Sequence, residues 1–231
     1  RAFRKPPVGN PFLRIVGPDD LSEGGLTTMS QAETDQFAHI RRMRDHRFAH
    51  EIASILPGEY FVSEEPMVVY TVLGSCISAC IRDPLIGVGG MNHFMLPEPK
   101  DTAHDSWGES TRYGSFAMES LINEILKRGG HRSRLEIKLF GAGKIYEGNI
   151  DVGANNAKWV LQYLKSEGLI VVKTDLGDVF PRKVYYHTDS GRVLMKRIER
   201  VKNRTIFERE NQYAEKIQQR EQQPAEDVTL F

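Results

Sequence analysis

From Glu59 onward, short apolar runs bounded by glycine or proline alternate with two stretches of helical period, and this rhythm limits the fold more than any other feature. Residues 59–63, 67–71, 76–82 and 88–96 read as strands. Phe116, Met118, Leu121, Ile122, Ile125 and Leu126 then recur at helical spacing over 113–128, with Ser110 and Thr111 as candidate caps and Gly129-Gly130 as the stop. A strand at 135–140, a turn at Gly141-Ala142-Gly143 and a helix over 155–165 follow, then strands at 169–174, 183–188 and 192–198. Strands interleaved with helices predict an α/β fold, a layered sandwich with a mixed sheet covered by helices.

Around this body the composition changes. Residues 1–30 are rich in Pro, Gly, Ser and Asp without sustained period, as in a disordered or loosely attached leader, and Met29 is a candidate natural start. In 31–56, Phe37, Ile40, Met43, Phe48, Ile52 and Ile55 fall near helical spacing, which predicts an amphipathic helix ending at the Pro57-Gly58 turn. The body runs over 57–200. Residues 201–231 form a charged, Gln-rich segment, expected as a solvent-facing helix that frays before Pro224.

Lys plus Arg and Asp plus Glu each total 31, so no excess positive field gathers nucleic acid. No stretch reaches the roughly 20 apolar residues of a spanning helix, and the expected compartment is the cytoplasm. Cys76 and Cys80 are expected as reduced thiols. His46 and His50 have an i,i+4 spacing, but no carboxylate or cysteine nearby completes a zinc site, and a solvated Arg-rich face accounts for them. Gly141-Ala142-Gly143 lacks the remainder of a phosphate loop. Neither a metal nor a cofactor is expected.

Chemistry concentrates around Cys76. Gly74 suits a tight or positive-φ turn, and the N–H groups of Ser75 and Cys76 are candidates to converge on an oxyanion. His93 falls on the next strand as a candidate base. A thiol of pKa about 8.5 is only a few per cent ionised at neutral pH, so a nucleophilic cysteine needs such a partner. Read from residues alone, inert packing of both side chains stays open, and Cys80, farther from the glycine turn, is better explained as core.

Leu73-Gly74-Ser75-Cys76, Arg82-Asp83-Pro84 and the segment from Asn92 to Pro97 together resemble the chemoreceptor glutamine deamidases of the CheD family. Pro57-Gly58-Glu59-Tyr60, Leu139-Phe140-Gly141, Val152-Gly153 with Asn156, and Arg182-Lys183-Val184 extend the resemblance over about 55–200. It implies a fold related to deamidating toxin catalytic domains, and hydrolysis of receptor glutamines to glutamates through a thioester. Cys76 is then the nucleophile, His93 the base and Thr71 the third polar member.

The implied substrate is a helical receptor bundle, which calls for an open thiol in a shallow groove. Ser75, Asn92 and Phe94 are candidates to frame that groove, with turn and core packing as their alternative. The implied partners are chemoreceptors and a CheC-like signalling phosphatase. An adaptor with little catalysis and a thiol acyl-transfer enzyme stand as competing readings.

Overall fold

The computed structural model describes residues 36–96, 106–145, 151–198 and 204–222. The leader over 1–30, residues 31–35 and the last nine positions, 223–231, lie outside the described residues. The chain divides into two units, Arg1–Ala38 and His39–Phe231, and the second contains everything described below.

Among the described residues, ten strands form two five-stranded mixed sheets rather than one. The first joins β1 (Arg41–Met43), β2 (Ile52–Ser54), β4 (Val68–Leu73), β9 (Arg182–His187) and β10 (Val193–Arg197) in that order. The second orders β3 (Tyr60–Ser63), β6 (Val88–Asn92), β5 (Ile77–Asp83), β7 (Glu136–Gly141) and β8 (Val171–Leu176). Each sheet has one parallel pair, β2 with β4 and β7 with β8. Helices α1 (Ser106–Lys127) and α2 (Val152–Ser166) lie on the second sheet, α1 over β3, β5 and β6 and α2 over β5. A third helix, α3 (Arg204–Gln222), follows the last strand.

The layering explains the burial pattern. In β4, Val69, Thr71 and Leu73 are buried while Tyr70 and Val72 are only partly so, as expected for a strand with one face on the core. By contrast β5 is buried at every position but Arg82, and β6 throughout, because helices cover one face and the first sheet the other. A glycine permits the helix contact: a Cβ on Gly114 of α1 would lie 2.5 Å from the indole of Trp159 on α2.

Several expected boundaries are corrected. Residues 39–56 are not helical; they hold β1 and β2. Ile52, Ala53 and Ile55 are all buried, so the period-2 alternation of a strand is absent and the apolar spacing mimicked a helix. Ser110 and Thr111 lie inside α1 rather than capping it. Helix α2 begins earlier than expected, capped by Asp151, whose carboxylate accepts the Ala154 N–H at 2.9 Å. Helix α3 is charged but not wholly solvent-facing, since Glu210 and Ile217 are buried.

Ile81 sits in the central strand with no exposed surface. We expect Ile81→Ala to lower stability by about 2–5 kcal/mol, read as a shifted urea midpoint at unchanged slope, whereas Phe116→Ser, on the exposed side of α1, changes it by about 0.5 kcal/mol or less.

Candidate active site

Strand β4 belongs to one sheet and β5 to the other, so Gly74-Ser75-Cys76 carries the chain across the layer boundary. Backbone orientation in this turn is fixed through its carbonyls. Gly143 N–H donates to Gly74 O at 2.7 Å, the Asn156 carboxamide to Ser75 O at 3.0 Å, and Ala142 N–H to Cys76 O at 2.8 Å. With all three carbonyls held on that side, the three N–H groups point together the other way.

The glycine pair that closes β7 is therefore the turn's support. Gly141 has φ +115°, and a Cβ there would lie 2.1 Å from Cys76 O, so glycine is obligatory. Gly74 follows the tight alternative: its φ is not positive, and its need is for space, since a Cβ would meet Ile145 at 2.4 Å and Glu210 Oε1 at 2.8 Å.

The converging N–H groups meet the carboxylate of Glu210 from α3. Gly74 N donates to Oε1 at 2.7 Å and Cys76 N at 3.3 Å, while Ser75 N and Ser75 Oγ donate to Oε2 at 2.9 and 2.7 Å. The carboxylate is buried, and the Cys76 thiol hydrogen-bonds to it as well.

His93 is held by its backbone, donating N–H to Glu59 O at 2.9 Å and accepting from Gly58 N at 2.8 Å. Its Nδ1 lies 2.8 Å from Thr71 Oγ1, and that hydroxyl donates to Ile55 O at 2.9 Å. A hydroxyl has one proton; with it committed to Ile55 O, Nδ1 must carry the hydrogen that Thr71 accepts. Nε2 is then a bare acceptor, and it is buried without a hydrogen-bond partner among the described residues. The Cys76 sulfur, a His93 ring nitrogen and a Glu210 oxygen lie within 4.8 Å of one another.

Electrostatically this arrangement keeps both groups neutral. Burial, followed by the negative charge and hydrogen bonding of Glu210, pushes the Cys76 thiol well above its ordinary value. Burial alone lowers His93 to about 3. Cys76 is fully buried rather than open while Glu210 is in place.

Of the six site residues expected from sequence, the fold gathers Cys76, His93, Thr71 and Ser75 and leaves two outside. The Asn92 carboxamide accepts Ala79 N at 2.8 Å and donates to Ala117 O at 3.0 Å, which ties β5 to α1 on the helix side of the sheet. Phe94 is fully buried edge-on to Trp159, at 5.9 Å between ring centres. Neither frames a groove. Cys80 is buried core, its thiol pushed up by desolvation, and His46 and His50 lie in irregular chain, so the helical spacing that would pair them is lost.

Sequence reasoning missed Glu210 and the role of Asn156, whose side chain also accepts Leu96 N at 2.9 Å. A signal for Glu210 existed. Ile206, Glu210, Tyr213 and Ile217 share one helical stripe, and a carboxylate within an otherwise apolar or aromatic stripe needs a buried partner.

Cysteine, histidine and glutamate are all competent zinc ligands, and these three form a candidate donor set. The carboxylate does not fit that use, because both of its oxygens already accept N–H or O–H donors. Anion recognition by the turn explains the cluster instead.

A layered α/β domain that sets a thiol, a bare imidazole nitrogen and a cradle of backbone N–H groups around one carboxylate has the equipment of thiol-dependent hydrolases. The family model described as CheD chemotactic sensory transduction matches residues 95–197. A probable chemoreceptor glutamine deamidase CheD from Methylobacillus flagellatus is 48% identical over 191 residues, covering 81% of this chain and 93% of its own. A second from Dechloromonas aromatica is 51% identical over 181 residues, 78% of this chain and 89% of its own. A third from Herminiimonas arsenicoxydans is 48% identical over 205 residues, 88% of this chain and its full length. The chain belongs to the CheD family. Although the family-model match starts after His93, an alignment of 205 residues within a chain of 231 necessarily spans positions 76 and 93.

Neutral burial of His93 sets a pH dependence. The unfolded chain takes up the histidine proton near pH 6.5, the folded chain only near 3, so the native state loses stability as pH falls through that interval. The stability difference between wild type and His93→Gln should fall by at most about 1.4 kcal/mol per pH unit below pH 6.5, measured by urea unfolding. A difference that stays constant from pH 7 to pH 5 contradicts neutral burial.

Proposed function

We propose that this chain hydrolyses glutamine side chains of bacterial chemoreceptors to glutamate in chemotaxis adaptation, with Cys76 as nucleophile, His93 as base and Thr71 as the group that orients it. The observation that carries the reading is the cradle of Gly74, Ser75 and Cys76 N–H groups closed on a side-chain carboxylate beside a cysteine and a histidine. The relatives named as probable chemoreceptor glutamine deamidases supply the substrate.

In the proposed reaction, Nδ1–H on Thr71 leaves Nε2 to take the thiol proton. The sulfur adds to the carboxamide carbon, and the oxygen gains negative charge within the cradle, with the Ser75 and Cys76 N–H groups as its main donors. The resulting imidazolium protonates the nitrogen, the C–N bond breaks and ammonia leaves. Neutral His93 next takes a proton from water, hydroxide attacks the thioester, and the carboxylate departs as the thiol is restored. The balance is amide plus water giving carboxylate plus ammonium.

On a receptor helix this step exchanges a neutral group for a negative charge and creates a methyl-accepting side chain, which alters local helix electrostatics. No helix among the described residues is long and apolar enough to cross a membrane. A cytoplasmic location and regulation by a CheC-like phosphatase belong to the same proposal and rest on the family resemblance.

One observation favours an adaptor instead: Cys76 is fully buried and held as a neutral thiol. Mass spectrometry of receptor incubated with the protein separates the two readings. Amide-to-acid conversion is expected with wild type, loss of roughly a thousandfold or more with Cys76→Ala or His93→Ala, and loss of about ten- to a hundredfold with Thr71→Val. Equal conversion by wild type and Cys76→Ala defeats the cysteine mechanism, and none by any form favours the adaptor.

A further inference from the structure

We infer that Glu210 is a built-in product analogue, and that the seat α3 fills is the seat of the substrate helix. This deepens the deamidase reading and rests on it. Glutamate is what a glutamine deamidase releases, and here a glutamate side chain on a helix places its carboxylate on every N–H of the nucleophile turn. The fit extends beyond the carboxylate. Tyr213, one turn on, hydrogen-bonds through its hydroxyl to Tyr113 of α1, and a Cβ on Gly58 would lie 2.8 Å from the Tyr213 ring. Ile206 and Arg209 border a cavity shared with Thr71 and His93, and Ile217 is buried.

The docked helix therefore states the recognition rule for a substrate. A target glutamine sits within a helical stripe, with an aliphatic residue four positions before it, an aromatic residue three after and an aliphatic residue seven after, as Ile206, Tyr213 and Ile217 flank Glu210. It also states a control. The thiol is sealed while α3 is docked, so a receptor helix must displace α3, and any partner that draws α3 away opens the site.

Placing an amide at position 210 turns the analogue into an internal substrate. In Glu210→Gln the Cys76 sulfur bonds to the carboxamide carbon, ammonia leaves with a proton from His93, and water cleaves the thioester to regenerate the thiol and leave a carboxylate. Peptide mass spectrometry should find position 210 converted to the acid in E210Q and retained as the amide in E210Q/C76A.

A second measurement does not depend on turnover. Iodoacetamide should alkylate Cys76 roughly tenfold or more faster in Glu210→Ala than in wild type, because reactivity follows the open fraction, while buried Cys80 stays unmodified in both as a check on folding. Equal Cys76 alkylation in wild type and E210A overturns the inference, whatever the receptor assay shows. Faster alkylation in E210A without conversion of receptor or of E210Q upholds the sealed seat and removes the amidase reading instead. Faster alkylation together with conversion in E210Q upholds both.

Discussion

The hydrogen bond between Thr71 and His93 crosses from one sheet to the other, and the candidate site depends on it. Thr71 belongs to β4 of the first sheet; His93 follows β6 of the second. The bond fixes the ring's tautomer, and it does so only because the threonine proton is already committed to Ile55 O. A single hydroxyl thereby couples the register of two sheets to the basicity of one nitrogen. Nε2 is the visible cost, a buried acceptor with no hydrogen-bond partner among the described residues, as Tyr186 Oη and His187 Nε2 also are. In the proposed reaction this acceptor is the one that receives the thiol proton.

Much of this was legible in the sequence, and the failures have physical causes. The positions of Cys76, His93 and Thr71 follow from a glycine turn, an adjacent strand and a family motif. Asn92 and Phe94 take the packing alternative, which simple alternation favours: if His93 faces Thr71, its neighbours must face the helices, as their contacts with Ala117 and Trp159 show. Strands β1 and β2 were missed because β2 is buried on successive residues and offers no period of two. Glu210 was missed because high charge along α3 was taken to mean exposure, although charge averaged over a helix says nothing about one stripe of it.

The turn itself illustrates how a fold makes an anion site from backbone N–H groups. Donors to the Glu210 carboxylate include three backbone N–H groups and the Ser75 hydroxyl, and carbonyl contacts on the far side of the chain direct the backbone groups. The obligatory glycine at 141 belongs to this design, since only a strand end without a Cβ can approach Cys76 O closely enough for its neighbours to hold the turn. Support comes from a third layer through Asn156 of α2, so the cradle draws on both sheets and a helix. That breadth limits relaxation, which is what preorganised stabilisation of an oxyanion requires.

A cradle of this kind has a consequence for release. In the proposed reaction the donors that meet a developing oxyanion also meet the product carboxylate, so a site tuned for the first retains affinity for the second. Hydrogen bonds to a charged acceptor each contribute about 1.5–3 kcal/mol, against which stands the desolvation of the anion. Substrate and product differ further in their effect on the nucleophile. A bound carboxylate raises the Cys76 thiol through its charge, whereas a neutral carboxamide in the same place removes that repulsion. The site is therefore quiet when it holds an acid and more readily ionised when it holds an amide, a bias that follows from Coulomb's law and the position of one turn.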